Sequence, residues 1–411
     1  MQLKIKNYTR GILIILLIFS ISSCHNLFNN DDDEPETIYL VSYEMVRSYL
    51  PVMVETVFEQ LVSQYPEMAA MQERVNHGII IYKITYKTTF KGESQLASGL
   101  VCVPTGEGSF PVISYQNGTN TLHSNAPSVN PNYDYYILLE AIASTGFVIS
   151  MPDYLGFGAS DNMFHPYLHK ESTVQTVLDM LRAVEELATI REFSLNNELY
   201  LTGYSQGGWA TMQVQKAIEE DFSGEFDLKA SAPCAGPYDL NYINEYILSQ
   251  ETYPMPYYFG YLYNSLINLD EEAVPPIAEV FNAPYDSLVP TLFDGSKSGE
   301  EINAELTNDV AELFTENYRL NFKTDTLFNS LKEILEANSI EAWNTSIPTK
   351  IIHGNADTYV PAVVSENIYT DFVTKGAGNR VEFIEIPETD HIEGIVPAGL
   401  ISIGWFLELT E

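Results

Sequence analysis

Leu199-Tyr200-Leu201-Thr202-Gly203-Tyr204-Ser205-Gln206-Gly207-Gly208 is the stretch on which the reading of this chain turns. A short apolar run leads into G-x-S-x-G, the pattern of a strand that bends sharply into a helix and holds one serine at a strained, exposed tip. Small residues at positions 203, 207 and 208 have a physical reason there: such a turn presses backbone against backbone, and a Cβ on either flank would clash. A serine hydroxyl is a weak nucleophile until a neighbouring base takes its proton, so the rest of the chain decides what Ser205 can do.

Two downstream stretches supply candidates. Thr349-Lys350-Ile351-Ile352 reads as an apolar strand that ends in His353-Gly354 and delivers Asp357, with Val360-Pro361 behind it. Val381-Glu382-Phe383-Ile384-Glu385-Ile386-Pro387 alternates like a last sheet strand and leads to Thr389-Asp390-His391. Ser205, Asp357 and His391 therefore follow one another as serine, acid and histidine, each just past the C-terminal end of an expected strand. That is the chain order of α/β-hydrolases, and not of chymotrypsin-like or subtilisin-like enzymes.

Two more motifs join these: Tyr115-Gln116-Asn117-Gly118-Thr119, and Pro152-Asp153-Tyr154-x-Gly156-x-Gly158 after an earlier strand. From about Ile80 to the C-terminus the chain thus resembles the α/β-hydrolase superfamily, and within it the branch of secretory-lipase-like enzymes and bacterial esterases. The resemblance implies that Ser205 attacks a substrate carbonyl, that His391 takes its proton and later returns it, and that Asp357 orients the imidazole. It implies an oxyanion hole made by the backbone N–H of Gln206 and by the loop at Asn117-Gly118-Thr119. There the Thr119 N–H is the favoured donor and the Asn117 side chain the alternative.

Other residues compete by type. His353 stands before Asp357 at a strand terminus and reads as packing of the turn. Asp390 is a second possible acid, but adjacent residues orient each other's rings poorly. Asp153 to Gly158 reads as a structural turn, since its glycines do not follow G-x-G-x-x-G, and His165 and His169 read as rim or packing residues. With no zinc-protease helix, calcium loop or clustered Cys/His set in the sequence, the chemistry calls for no cofactor and no metal.

Strands are expected near 79–90, 96–104, 111–116, 146–151, 199–203, 228–234, 349–353 and 380–386, with a helix at 50–65 and another over 173–187. Alternation of strands and helices predicts an α/β fold whose mostly parallel central sheet is covered by helices on both faces. The interval 237–345 is too long for a structureless loop and reads as a helical cap inserted into a catalytic domain spanning 38–411. Its aromatic residues, Tyr238 to Tyr263, are candidates for lining a pocket, although most such rings pack helices together.

At the other end, Lys4, Lys6 and Arg10 precede an apolar run over 11–21 that is too short to span a bilayer. Residues 1–23 read as a lipoprotein signal peptide and Cys24 as the lipidated first residue of the mature chain. Residues 24–37 then form an acidic tether, Asp31-Asp32-Asp33-Glu34 at its centre, of a composition that cannot bury a core. An exported bacterial lipoprotein held at the outer membrane follows, with display on the cell surface suggested by the acidic run. Cys102 and Cys234, the remaining cysteines, read as buried single thiols.

The formal net charge of −36 repels nucleic acid and anionic headgroups and favours neutral or cationic small molecules. The function read from all this is a serine hydrolase that cleaves carboxylic esters through an acyl-enzyme. The alternative is a serine peptidase of the prolyl-oligopeptidase or aminopeptidase type, although the segment from Cys24 to Lys91 is too short for a gating propeller. A silent binding protein is a further rival, which a complete serine, acid and histidine set opposes.

Overall fold

The computed structural model describes residues 36–410, of which Thr37 onward belongs to one compact unit. Its first regular hairpin comes from the two alternating runs Ile79–Phe90 (β2) and Glu93–Pro104 (β3), which pair along their whole length across Lys91-Gly92. Both turn residues have positive φ, 51° and 79°, the backbone a two-residue hairpin needs to match the twist of its strands.

Leu40–Tyr49 (β1), Ser109–Gln116 (β4), Val148–Pro152 (β5), Ser194–Tyr204 (β6), Asp227–Cys234 (β7), Thr349–Gly354 (β8) and Val381–Ile386 (β9) complete one sheet in the order β1-β2-β3-β5-β4-β6-β7-β8-β9. The neighbours from β1 through β3 to β5 run antiparallel, and those from β5 through β4 to β9 run parallel. This is an α/β-hydrolase fold.

The central strands are buried on both faces, and successive side chains go to opposite sides. On β6, Leu199 and Leu201 enter one core and Tyr200 and Tyr204 the other. The longer helices among the described residues are Pro51–Gln64 (α1), Asp134–Ala143 (α2), Lys170–Arg191 (α3), Gln206–Ala217 (α4), Leu240–Ser249 (α5), Pro256–Leu269 (α6), Asn329–Asn338 (α7), Val363–Thr374 (α8) and Ile395–Leu409 (α9). The first core takes Val177 and Leu181 of α3 and Trp209 and Met212 of α4; the second takes Phe58 of α1, Ile142 of α2 and Phe406 of α9.

β1 is absent from the sequence reading. It is an edge strand whose register shifts twice, between Leu40 and Ser42 and between Met45 and Arg47, so its apolar residues lose the period of two. Where it begins, the Glu186 carboxylate on α3 accepts the backbone N–H groups of Ile38, Tyr39 and Leu40, at 2.8, 3.0 and 2.6 Å.

Between β7 and β8 the chain forms α5, α6 and α7 with short helical turns between them. Their aromatic residues mainly build the insertion's own core. Phe259 packs on Phe281, Phe314, Tyr318 and Tyr263, with ring centroids 5.0–6.1 Å apart. Tyr253, Tyr257, Tyr258 and Phe259 also reach the cavities described next.

Candidate active site

Ser205 sits between β6 and α4 with φ 59° and ψ −120°, a backbone that a residue bearing a Cβ holds only when its surroundings impose it. The surroundings are the ends of two neighbouring strands. Ser205 N–H donates to the Cys234 carbonyl at the end of β7, at 2.9 Å. A Cβ on Gly207 would lie 1.9 Å from the Gln116 carbonyl oxygen at the end of β4, and one on Gly208 2.1 Å from that of Cys234. The glycines of the motif are thus fixed by close approach of backbone.

His391, in the loop after β9, places Nε2 2.9 Å from Ser205 Oγ and Nδ1 2.5 Å from Asp357 Oδ2. Its own carbonyl accepts from the Tyr204 hydroxyl at 2.8 Å, which ties the histidine loop to the residue before Ser205. Asp357, in the turn after β8, accepts the backbone N–H groups of Tyr359 and Val360 on Oδ1 at 2.8 and 2.9 Å. Burial pushes its carboxyl upward, but the hydrogen bonds from His353 and His391 outweigh that and pull it down to about 2. Asp357 is therefore an anion at neutral pH.

His353 does more than pack the turn. Fully buried, it puts Nε2 3.0 Å from Asp357 Oδ2 and 2.9 Å from the Val360 carbonyl. The signal for this was the i, i+4 spacing of His353 and Asp357 across Gly354. Asp390 turns away from His391, its Oδ1 accepting the N–H groups of Ile392 and Glu393 at 2.9 and 2.8 Å.

The loop after β4 faces Ser205. Asn117 directs its side-chain amide to the Pro152 carbonyl at 2.6 Å, and Thr119 pairs its hydroxyl with that of Tyr167 at 2.8 Å. The Asn117 amide is thus engaged in bracing the end of β5. The backbone N–H groups of Thr119 and of Gln206, the latter at the N-terminus of α4, have no acceptor among the described residues. Gln206 is held from behind, its side-chain amide 2.9 Å from His165 Nε2, while His165 Nδ1 is 2.7 Å from the Leu155 carbonyl and so donates to it. Burial pushes the His165 imidazole down to about 4, so it is neutral. His169 caps α3 through Ser172.

Asp153 is buried, and its Oδ2 accepts from the hydroxyls of Ser98 and Ser128, both at 2.5 Å. This joins β3 to the loops that hold Ser128 and Asp153 and fits the structural reading of that motif. Cys102 and Cys234 are free and buried, whereas Cys24 and the signal and tether residues up to 35 lie outside the described residues.

Two cavities meet at Ser205. A cleft of about 390 Å³ is lined by His391, by the 117–122 loop and by Tyr115, Tyr136, Tyr257 and Tyr258. A nook of about 40 Å³ lies under the insertion, walled by Leu240, Ile247, Phe259 and Leu262 among others.

The model of the secretory lipase family matches residues 121–408 of the chain. Among solved structures, a candidate hydrolase of Legionella pneumophila is 27% identical, with 90% of this chain and 97% of that one covered and a TM-score of 0.78. The rice cell wall degrading esterase LipA from Xanthomonas oryzae is 24% identical over 90% of this chain and 96% of its own, with a TM-score of 0.76. Candida antarctica lipase A in its closed state is 16% identical over 89% and 81%, with a TM-score of 0.63. The latter two likenesses show the fold alone. No curated protein matches the sequence, and none of these likenesses supports the peptidase alternative.

Proposed function

The chain belongs to the secretory lipase family and is a carboxylic ester hydrolase, and from that premise we propose that Ser205, His391 and Asp357 perform the hydrolysis through an acyl-enzyme. The observation that carries this is the unbroken line of hydrogen bonds from Ser205 Oγ through the two nitrogens of His391 to Asp357, at 2.9 and 2.5 Å.

In the first half, Ser205 Oγ forms a bond to the ester carbonyl carbon as its proton passes to His391 Nε2. The carbonyl π pair moves onto oxygen, where the N–H groups of Gln206 and Thr119 stabilise the charge. When that pair returns, the bond to the alkoxy oxygen breaks, and the leaving alcohol takes its proton from His391. In the second half a water molecule repeats the attack, with His391 again removing the proton. The carboxylic acid departs and Ser205 recovers its hydrogen. Asp357, an anion throughout, stabilises the imidazolium and holds Nδ1 protonated.

The insertion over 237–345 acts as a cap, since Tyr257 and Tyr258 of α6 form part of the wall over Ser205. Membership of a secretory family fits export, and no helix among the described residues is long and apolar enough to cross a membrane. We further propose that residues 1–23 are removed and that Cys24 carries the lipid, which mass spectrometry of the mature N-terminus tests.

The decisive experiment is hydrolysis of p-nitrophenyl esters by the purified protein and its Ser205→Ala variant. A loss on the order of 10⁴-fold or more is expected; unchanged rates in the variant would exclude Ser205 as the nucleophile.

A further inference from the structure

The two cavities at Ser205 divide the substrate between them, an inference that rests on the acyl-enzyme reading above. The departing alcohol must take its proton from His391, so the alcohol half of the ester lies on the side that His391 lines. That side is the cleft of about 390 Å³, which the hydroxyl- and amide-bearing residues Asn120, Thr121 and Asn125 also line. Tyr258 and Ser205 belong to both cavities, and the space that borders Ser205 beyond Tyr258 is the nook of about 40 Å³. A volume of that size holds about three water-sized groups, so the acyl chain it fits is short.

A buried polar group on the wall of the nook has incomplete bonding. Asn244 is buried, and its Oδ1 accepts from the Tyr318 hydroxyl at 2.7 Å, yet its Nδ2 has no acceptor among the described residues. Two other polar groups on the same wall are occupied: Tyr253 donates to the Tyr359 carbonyl at 2.9 Å, and Tyr167 is paired with Thr119 at 2.8 Å. A buried N–H without an acceptor is costly, and a site holding one favours a ligand that supplies the acceptor.

We propose that the nook is the acyl site and that it selects short acyl groups bearing an oxygen acceptor, which the side-chain amide of Asn244 binds. Leu262 and Ile247 set the length limit by closing the nook, and the cleft leaves room for a bulky alcohol.

The test compares p-nitrophenyl butyrate with p-nitrophenyl methoxyacetate, which has the same shape with one methylene replaced by oxygen. Butyrate, hexanoate and octanoate give the length dependence. Each kcat/KM of the full chain is divided by the ester's hydroxide-catalysed rate, because the ether oxygen activates the carbonyl by itself. The wild type is expected to favour methoxyacetate over butyrate by about tenfold and to lose about tenfold between butyrate and octanoate. Asn244→Leu is expected to erase the first preference, and Leu262→Ala to move the length optimum upward.

Serine-dependent hydrolysis that is fastest on octanoate, or a wild-type ratio of methoxyacetate to butyrate near one, overturns the inference while leaving the acyl-enzyme reading intact. Hydrolysis that persists in Ser205→Ala overturns both. Should Asn244→Leu fail to fold, the wild-type ratio alone decides.

Discussion

His353 and His391 converge on a single oxygen of Asp357: His353 Nε2 stands 3.0 Å and His391 Nδ1 2.5 Å from Oδ2. Because His353 Nε2 also faces the Val360 carbonyl, at 2.9 Å, two acceptors meet at that nitrogen, and it must carry a hydrogen. Its Nδ1 is hydrogen-bonded to the Ser365 hydroxyl at 2.7 Å. His353 is a positioning residue, drawing off part of the charge that Asp357 would otherwise present to His391.

Replacing His353 by Phe should leave Asp357 with more charge directed at His391, which stabilises the imidazolium. The acid limb of kcat/KM against pH is then expected to move to higher pH, and kcat to fall about tenfold as the carboxylate loses a restraint. The other titratable groups facing Asp357 are Tyr204, Tyr246, Tyr253, Tyr258 and Tyr359, and none of them changes in this variant. A pH profile that does not move, with only a lower melting temperature, would reduce His353 to packing.

The two aspartates near His391 should separate cleanly. Asp357→Asn is expected to lower kcat on the order of 10³–10⁴-fold, because an amide no longer fixes the tautomer or stabilises the imidazolium. Asp390→Asn keeps the oxygen that accepts from Ile392 and Glu393 and should stay within about threefold of wild type. Steady-state kinetics on one ester decides between them.

Gly207→Ala is the sharpest test of the turn. Its Cβ would stand 1.9 Å from the Gln116 oxygen, which is backbone and cannot swing aside. A destabilisation of about 3 kcal/mol or more is expected, seen as a large fall in melting temperature together with lost activity. Near-normal stability would mean that the ends of β4 and β6 can separate.

His165 makes stability depend on pH. Its folded value, pushed down by burial to about 4, lies below the ordinary 6.5, so between those values the unfolded chain binds the extra proton. Stability should therefore fall as pH drops from about 6.5 to about 4, by up to about 3 kcal/mol, and this loss should level off below that. Melting temperatures from pH 7.5 to 4.5 measure it. The loss in that window should shrink in His165→Gln, which cannot titrate.

The parts of the fold that the sequence disclosed are those where a local pattern and the tertiary answer coincide. The run before Ser205, the His353-Gly-x-x-Asp357 turn and the alternation leading to His391 each announce a strand end, and the structure brings those three ends together. β1 stayed hidden because bulges scramble its alternation and because Val41, Met45 and Val46 are exposed. The i, i+4 spacing of His353 and Asp357 allows their pairing, and the turn's three-dimensional path makes it. The nook could not be read at all, since Asn244 and Leu262 face it only through the packing of α5 and α6, which no spacing rule encodes.

The Glu186 clamp gives the molecule a defined point of mechanical strength. Three successive backbone N–H groups at the start of β1 converge on one carboxylate carried by α3, a helix of 22 residues seated against the sheet. Tension arriving along the chain from ahead of Thr37 meets that carboxylate before it can peel β1 from β2. The load passes into α3, whose Val177 and Leu181 share one core with Trp209 and Met212 of α4, the helix that follows Ser205. A pull on the leading end of the chain is therefore borne by the helix layer of the catalytic fold as well as by the pairing of β1 with β2.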